Sequence, residues 1–163
     1  MLPGGRSVTD GGMEPLDPVA ESPVGPTADR LISVLVLLVA IGFVAFLWHV
    51  KPDPRGYGTH EQTGMAKCGW IVNYGKPCPT CGVTTAGAHL VRLQLFSAVR
   101  VQPFGAALGA SGLWLGVVAA WCLMRRCSLF DFLLRLPQMK ILLWGLVLLL
   151  GSWLYTYLTF ASP

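Results

Sequence analysis

Charge is what this chain has least of. Only 12% of its 163 residues are Asp, Glu, Lys or Arg, against about a quarter in soluble domains. Hydrophobic residues make up 53%, and the mean hydropathy is +0.58. Such a composition needs lipid or a very large core, and 163 residues cannot build the second. One compact membrane module is the expectation. Other absences exclude function classes. The formal charge of +4 forms no basic stripe interleaved with aromatics, which argues against nucleic acid as a partner. In a membrane protein such charges set orientation and touch anionic headgroups. No acid or base lies inside an apolar run, so a proton or ion pathway has no support. There is no phosphate loop, no hydrolase triad spacing, no internal repeat and no βαβ pattern of the thioredoxin kind.

What is present is organised by apolar runs. Residues 1–29 are rich in Gly and Pro, hold five acidic residues against Arg6, and lack apolar periodicity, which predicts a disordered tail. The membrane domain is then 30–163. Its first run, 31–50, carries no charged residue and is long enough to cross a hydrocarbon core of roughly 30 Å. It is too long for a signal-peptide core, and no small-residue cleavage site follows. His49 at its end reads as a boundary residue. Pro52 and Pro54 stop the helix. The second span is 103–124, opened by Pro103, and the third is 141–160, ending in Trp153, Tyr155 and Tyr157 like an interfacial aromatic belt. Between the first two spans, the polar segment 51–102 contains the cysteine-motif loop and an amphipathic stretch over 83–100. That stretch is too polar to span and is predicted to lie at the interface. The fold class expected is therefore an all-α integral membrane protein with three transmembrane helices and an interfacial amphipathic helix between the first and second.

Gly105 with Gly109, and Gly112 with Gly116, form two small-xxx-small pairs in the second span, a face suited to docking a membrane-protein partner. Arg125, Arg126, Arg135 and Lys140 cluster in the loop 125–140, and no Lys or Arg follows the third span. The positive-inside rule then puts the N-terminus in the cytoplasm, although Lys51 and Arg55 weigh against it. The cysteine motif would lie outside, in an oxidising compartment if the membrane is a bacterial inner membrane.

Of five cysteines, Cys122 and Cys127 lie near the far end of the second span and read as packing residues. Cys68, Cys78 and Cys81 share one loop with His89, in the spacing C-x9-C-x2-C-x7-H. A Pro-started turn and a glycine tolerant of positive φ make the CPTCG stretch a compact knuckle with its thiolates on one side. With Cys68 and His89 it could complete a tetrahedral zinc site. A dithiol at a helix N-terminus also suits redox exchange, with Cys78 attacking and Cys81 resolving, though no second dithiol is evident to pass electrons on. The third reading is structural: a turn or disulfide that fixes the loop of a small membrane subunit. His60 with Glu61, in a Gly-rich loop, reads as a solvated pair rather than an acid/base pair.

The stretch from Cys68 through CPTCG to Pro103 resembles the small bacterial membrane proteins grouped as domain of unknown function 2752. Cys68, Cys78, Pro79, Cys81, Gly82, Thr84, His89 and Pro103 fall on that family's pattern. Thr85 stands where the family has arginine, Leu93 and Gln94 where it has Gly-Asp, and Gln102 where it has asparagine. An arginine beside a dithiol would stabilise a thiolate, so its replacement weakens the redox reading, with Arg92 two turns on as a partial substitute. The resemblance implies a membrane fold and an important cysteine motif, and it carries no enzyme activity.

Overall fold

The computed structural model describes residues 24–160. Among these there are seven α-helices, one short 3-10 turn (Thr59–Thr63) and no strand. Three helices are long and apolar enough to cross a membrane: α1 (Pro26–His49), α5 (Pro103–Arg125) and α7 (Gln138–Thr159). The protein is a multi-pass membrane protein. Of the disordered tail expected over residues 1–29, residues 1–23 lie outside the described residues.

α1 starts five residues ahead of its apolar run, with Pro26 at its first turn. Asp29, expected in the tail, is instead a buried residue of this helix. Its carboxylate accepts from Ser128 Oγ (3.0 Å) and from the backbone N–H groups of Leu129 (3.3 Å) and Phe130 (3.0 Å). These are the first amides of the short α6 (Leu129–Arg135), so α1 caps a helix about 100 residues away. Each carboxylate oxygen finds at least one donor, which is what lets a carboxylate sit there.

α1 and α5 run antiparallel. Ile32, Val36 and Leu37 pack with Ala119, Cys122 and Leu129 near one end, and Ala40 meets Gly116 further along. The segment 51–102 folds over the other end. The single interfacial helix expected over 83–100 is two helices, α3 (Val83–Val91) and α4 (Leu95–Val101). The break lies at Leu93, which holds φ +60, with the amides of Arg92 and Gln94 both bonded to the His89 carbonyl. Arg92 lies directly before the break. Its guanidinium donates to the carbonyls of Leu47, Trp48 and Val50 at the end of α1 and to Ala88 in its own helix, at 2.7–3.0 Å. It caps the C-terminus of α1, where a cation is favoured, and is not placed to serve the thiols.

The glycine face expected to dock a partner is largely used within the chain. Added Cβ atoms at Gly105 and Gly109 would lie 2.8 Å from Val83 Cα and Leu90 Cδ2 of α3, and one at Gly116 would lie 2.8 Å from Ala40 Cβ of α1. Only Gly112 of the four has nothing near it. Small residues here admit two helices at once, as close packing in lipid requires.

α7 joins at its C-terminal end. Ser152 Oγ accepts from Phe104 N, Trp153 Nε1 donates to the Pro77 carbonyl, and Tyr155 OH donates to the Arg100 carbonyl. Only 6% of its apolar window is buried within the chain, so the chain's own packing leaves most of this apolar surface open. Two ends result: one bearing the thiol loop, α3 and α4, the other bearing α6 and Arg125 and Arg126.

Candidate metal centre

The loop that carries the thiols is held from three sides. Cys78, Pro79, Thr80 and Cys81 form a turn closed by Cys81 N to the Cys78 carbonyl (3.1 Å), followed by Val83 N to the Thr80 carbonyl (3.2 Å). Gly82 then takes φ +91, and a Cβ there would lie 2.9 Å from the Gly56 carbonyl oxygen. Only glycine satisfies both the backbone and the space. Below the turn, the fully buried Gln102 side chain caps α5 through the Gly105 amide and donates to the Pro79 carbonyl (3.1 Å). Beside it, Thr59 and Thr85 hydroxyls share a buried hydrogen bond of 2.8 Å that pins the 3-10 turn to α3.

This scaffold gathers Cys68, Cys78 and Cys81, whose sulfurs lie within 4.8 Å of one another. Cys78 Sγ and Cys81 Sγ are 3.2 Å apart, and Cys78 Sγ also meets Thr80 Oγ1 at 3.4 Å. Cys68 arrives from the opposite side of the loop, at the N-terminus of α2 (Gly69–Tyr74). Their protonation is shared. Burial alone pushes the Cys68 thiol up, but the amides of Ile71 and Trp70 and the neighbouring Cys81 and Cys78 thiols outweigh it, lowering Cys68 from 9.0 to about 7. Cys81 moves the other way: burial, then hydrogen bonding with Cys78 and Cys68, push its thiol well above the ordinary range. One thiolate thus forms readily at neutral pH, and it suppresses the next.

His89 does not join this group. It lies eight residues beyond Cys81, about 12 Å along a helix axis. Its Nδ1 is 2.6 Å from Gln94 Oε1, at the far end of α3. The stripe Cys81, Thr85, His89 exists, but its middle member turns to Thr59 rather than to the sulfurs. A second close pair was not expected. Cys122 and Cys127 Sγ lie 2.7 Å apart at the other end of α5, where Arg126 at φ +58 turns the chain back and Cys127 N bonds the Cys122 carbonyl. Their i, i+5 spacing hides this from a helical reading, and here the positive φ of Arg126 brings the two together.

Residues 72–116 match the family described as protein of unknown function DUF2752. The DUF2752 segment includes the Cys78–Cys81 turn, α3, α4 and the N-terminal part of α5; Cys68 and the 3-10 turn precede it. No curated protein and no solved structure matches the chain.

The three thiols have a donor set that fits a borderline-soft cation. Tetrahedral zinc with bonds of about 2.3 Å places its sulfurs about 3.8 Å apart. A disulfide needs about 2.05 Å. The Cys78–Cys81 separation of 3.2 Å lies nearer the tetrahedral edge. The residues that secure the loop, Gln102 and Thr59 with Thr85, were not identified as part of the site from sequence. For Gln102 the signal was its position directly before the helix-opening Pro103; for Thr59 no local signal exists.

Proposed function

We propose that this protein is a membrane-embedded metal-binding module, in which the thiolates of Cys68, Cys78 and Cys81 hold one zinc-class ion at the mouth of the helix bundle. The observation that carries the reading is the convergence of three sulfurs within 4.8 Å from segments ten residues apart. The ion would tie the α2 loop to the start of α3, and a part in assembling or bracing a membrane complex is the role that such a thiolate-rich cross-link suits. The thiol end faces outward across a bacterial inner membrane, with the N-terminus cytoplasmic. Support for that orientation is the placement of Arg125 and Arg126 directly at the end of α5, where basic residues weigh most.

A second reading, thiol-disulfide exchange by Cys78 and Cys81, is favoured by the placement of their turn directly before the N-terminus of α3, where a thiolate is stabilised. Purified full-length protein, prepared in detergent without chelator, separates the two. About one zinc per chain by mass spectrometry, absent in Cys81→Ser, supports the metal module. Metal-free protein with the Cys78–Cys81 bond formed and readily reduced supports exchange.

A further inference from the structure

Three thiolates leave a tetrahedral ion one ligand short. The histidine expected from sequence to fill that position is committed elsewhere, at the far end of α3. The sulfurs instead line a cleft of about 420 Å³ whose wall also includes His60, Glu61 and Met65. These three offer an imidazole, a carboxylate and a thioether. Glu61 is taken by Arg55, 3.2 Å from its carboxylate. Met65 is exposed, and a thioether is a weak partner for zinc-class ions. The imidazole of His60 lines this cleft outside the 4.8 Å that groups the three sulfurs, so ligation requires it to turn inward; it is half-buried and, among the described residues, engages no hydrogen bond or ion pair. Its backbone is fixed, because the adjacent Thr59 is fully buried and bonds both Thr85 Oγ1 (2.8 Å) and the Asp53 amide (3.0 Å). Charge favours it too. Three thiolates around a divalent ion already leave a net negative site, which a neutral imidazole completes and a carboxylate would worsen.

We propose that His60, from the 3-10 turn, is the fourth ligand of the ion held by Cys68, Cys78 and Cys81. This rests on the metal-module reading above. The site is then closed by two tethers from the same polar segment, with the Thr59–Thr85 bond orienting the ligand-bearing turn.

Cobalt(II), titrated anaerobically into reduced full-length protein in detergent, reports thiolate ligation in the near ultraviolet and coordination geometry in the visible. The wild type is expected to show both signatures of a tetrahedral thiolate site. His60→Ala keeps the thiolate absorption, shifts the visible tetrahedral bands as water replaces the imidazole, and weakens binding by more than the roughly 10- to 100-fold typical of losing an outer partner. His60→Cys shifts the bands again, with added thiolate intensity. His89→Ala matches wild type. Should His89→Ala change the spectrum while His60→Ala does not, or should both be silent, the assignment of His60 is overturned while the metal module stands. Absence of thiolate absorption in the wild type overturns the module and His60 with it. Where His60→Ala does not fold, zinc-edge absorption on the His89→Ala protein decides. Three sulfurs with the outer-shell ring scattering of one imidazole support His60; three sulfurs without it overturn it.

Discussion

Single residues carry unequal duties in the thiol loop, and their protonation shows it. Cys68, lowered to about 7, is the thiolate of the metal-free cluster, while buried Cys81 stays protonated far above it. Alkylation by iodoacetamide, followed residue by residue with mass spectrometry, should therefore rise for Cys68 with a midpoint near pH 7, as Cys81 remains unmodified across the neutral range. Equal rates at the two positions would remove the shared-thiolate account. The sign for stability follows from the same shift. The folded thiol is the stronger acid, so its contribution is complete above 9.0 and fades as pH falls through about 7. Leu93 is a different case. It is 85% exposed at φ +60, a conformation that costs an L-residue roughly 1–2 kcal/mol, and it stands where the resembling family has glycine. Leu93→Gly should stabilise by up to about 1 kcal/mol after the entropy of the more flexible unfolded chain is subtracted, read as a raised unfolding midpoint in detergent. A lowered midpoint would show that the side chain contributes more than its exposure implies.

Helices α1, α5 and α7 were legible in the sequence because hydropathy sums over some twenty residues, and errors at single positions wash out. The break between α3 and α4 was not. It lies at one φ, beside a guanidinium reaching carbonyls more than 40 residues away, and no local periodicity encodes that. The start of α1 was missed for a related reason: Asp29 looks like a tail residue until its partners at Ser128 to Phe130 are known. The thiol triad was legible from spacing, since turns bring near neighbours together, whereas His89 was chosen on a helical stripe that ignores its axial distance. The glycine pairs were legible as packing residues but not as to which helix they receive. Substitution distinguishes them. Gly109→Leu, against Leu90 of α3, should destabilise by at least 1–3 kcal/mol, roughly the cost of overpacking, whereas Gly112→Leu should stay within about 0.5 kcal/mol of wild type. Thermal unfolding of the two variants checks this. A large loss at Gly112 would restore the partner-docking face that the chain's own packing displaces.

The described residues have two chemically different ends, and α5 connects them. Gln102 at its N-terminus touches the thiol turn, and Cys122 near its C-terminus meets Cys127. A helix of 23 residues is about 34 Å long, so no thiol of one set can reach the other without unfolding the span between them. Electron exchange between the sets within one chain is therefore closed off, which leaves the triad to a local function and favours a bound ion over relay chemistry. The same length puts the two sets on opposite faces of the bilayer. In intact cells treated first with a chelator, a membrane-impermeant maleimide should modify Cys68 in a chain whose other four cysteines are serine. A chain retaining only Cys127 should react after permeabilisation alone. The reversed pattern would place the N-terminus outside, making Arg125 and Arg126 an exception to the positive-inside rule. Labelling of both from the same side would break the antiparallel pairing of α1 with α5, because that pairing requires the capped α6 and the thiol loop to be a membrane's thickness apart.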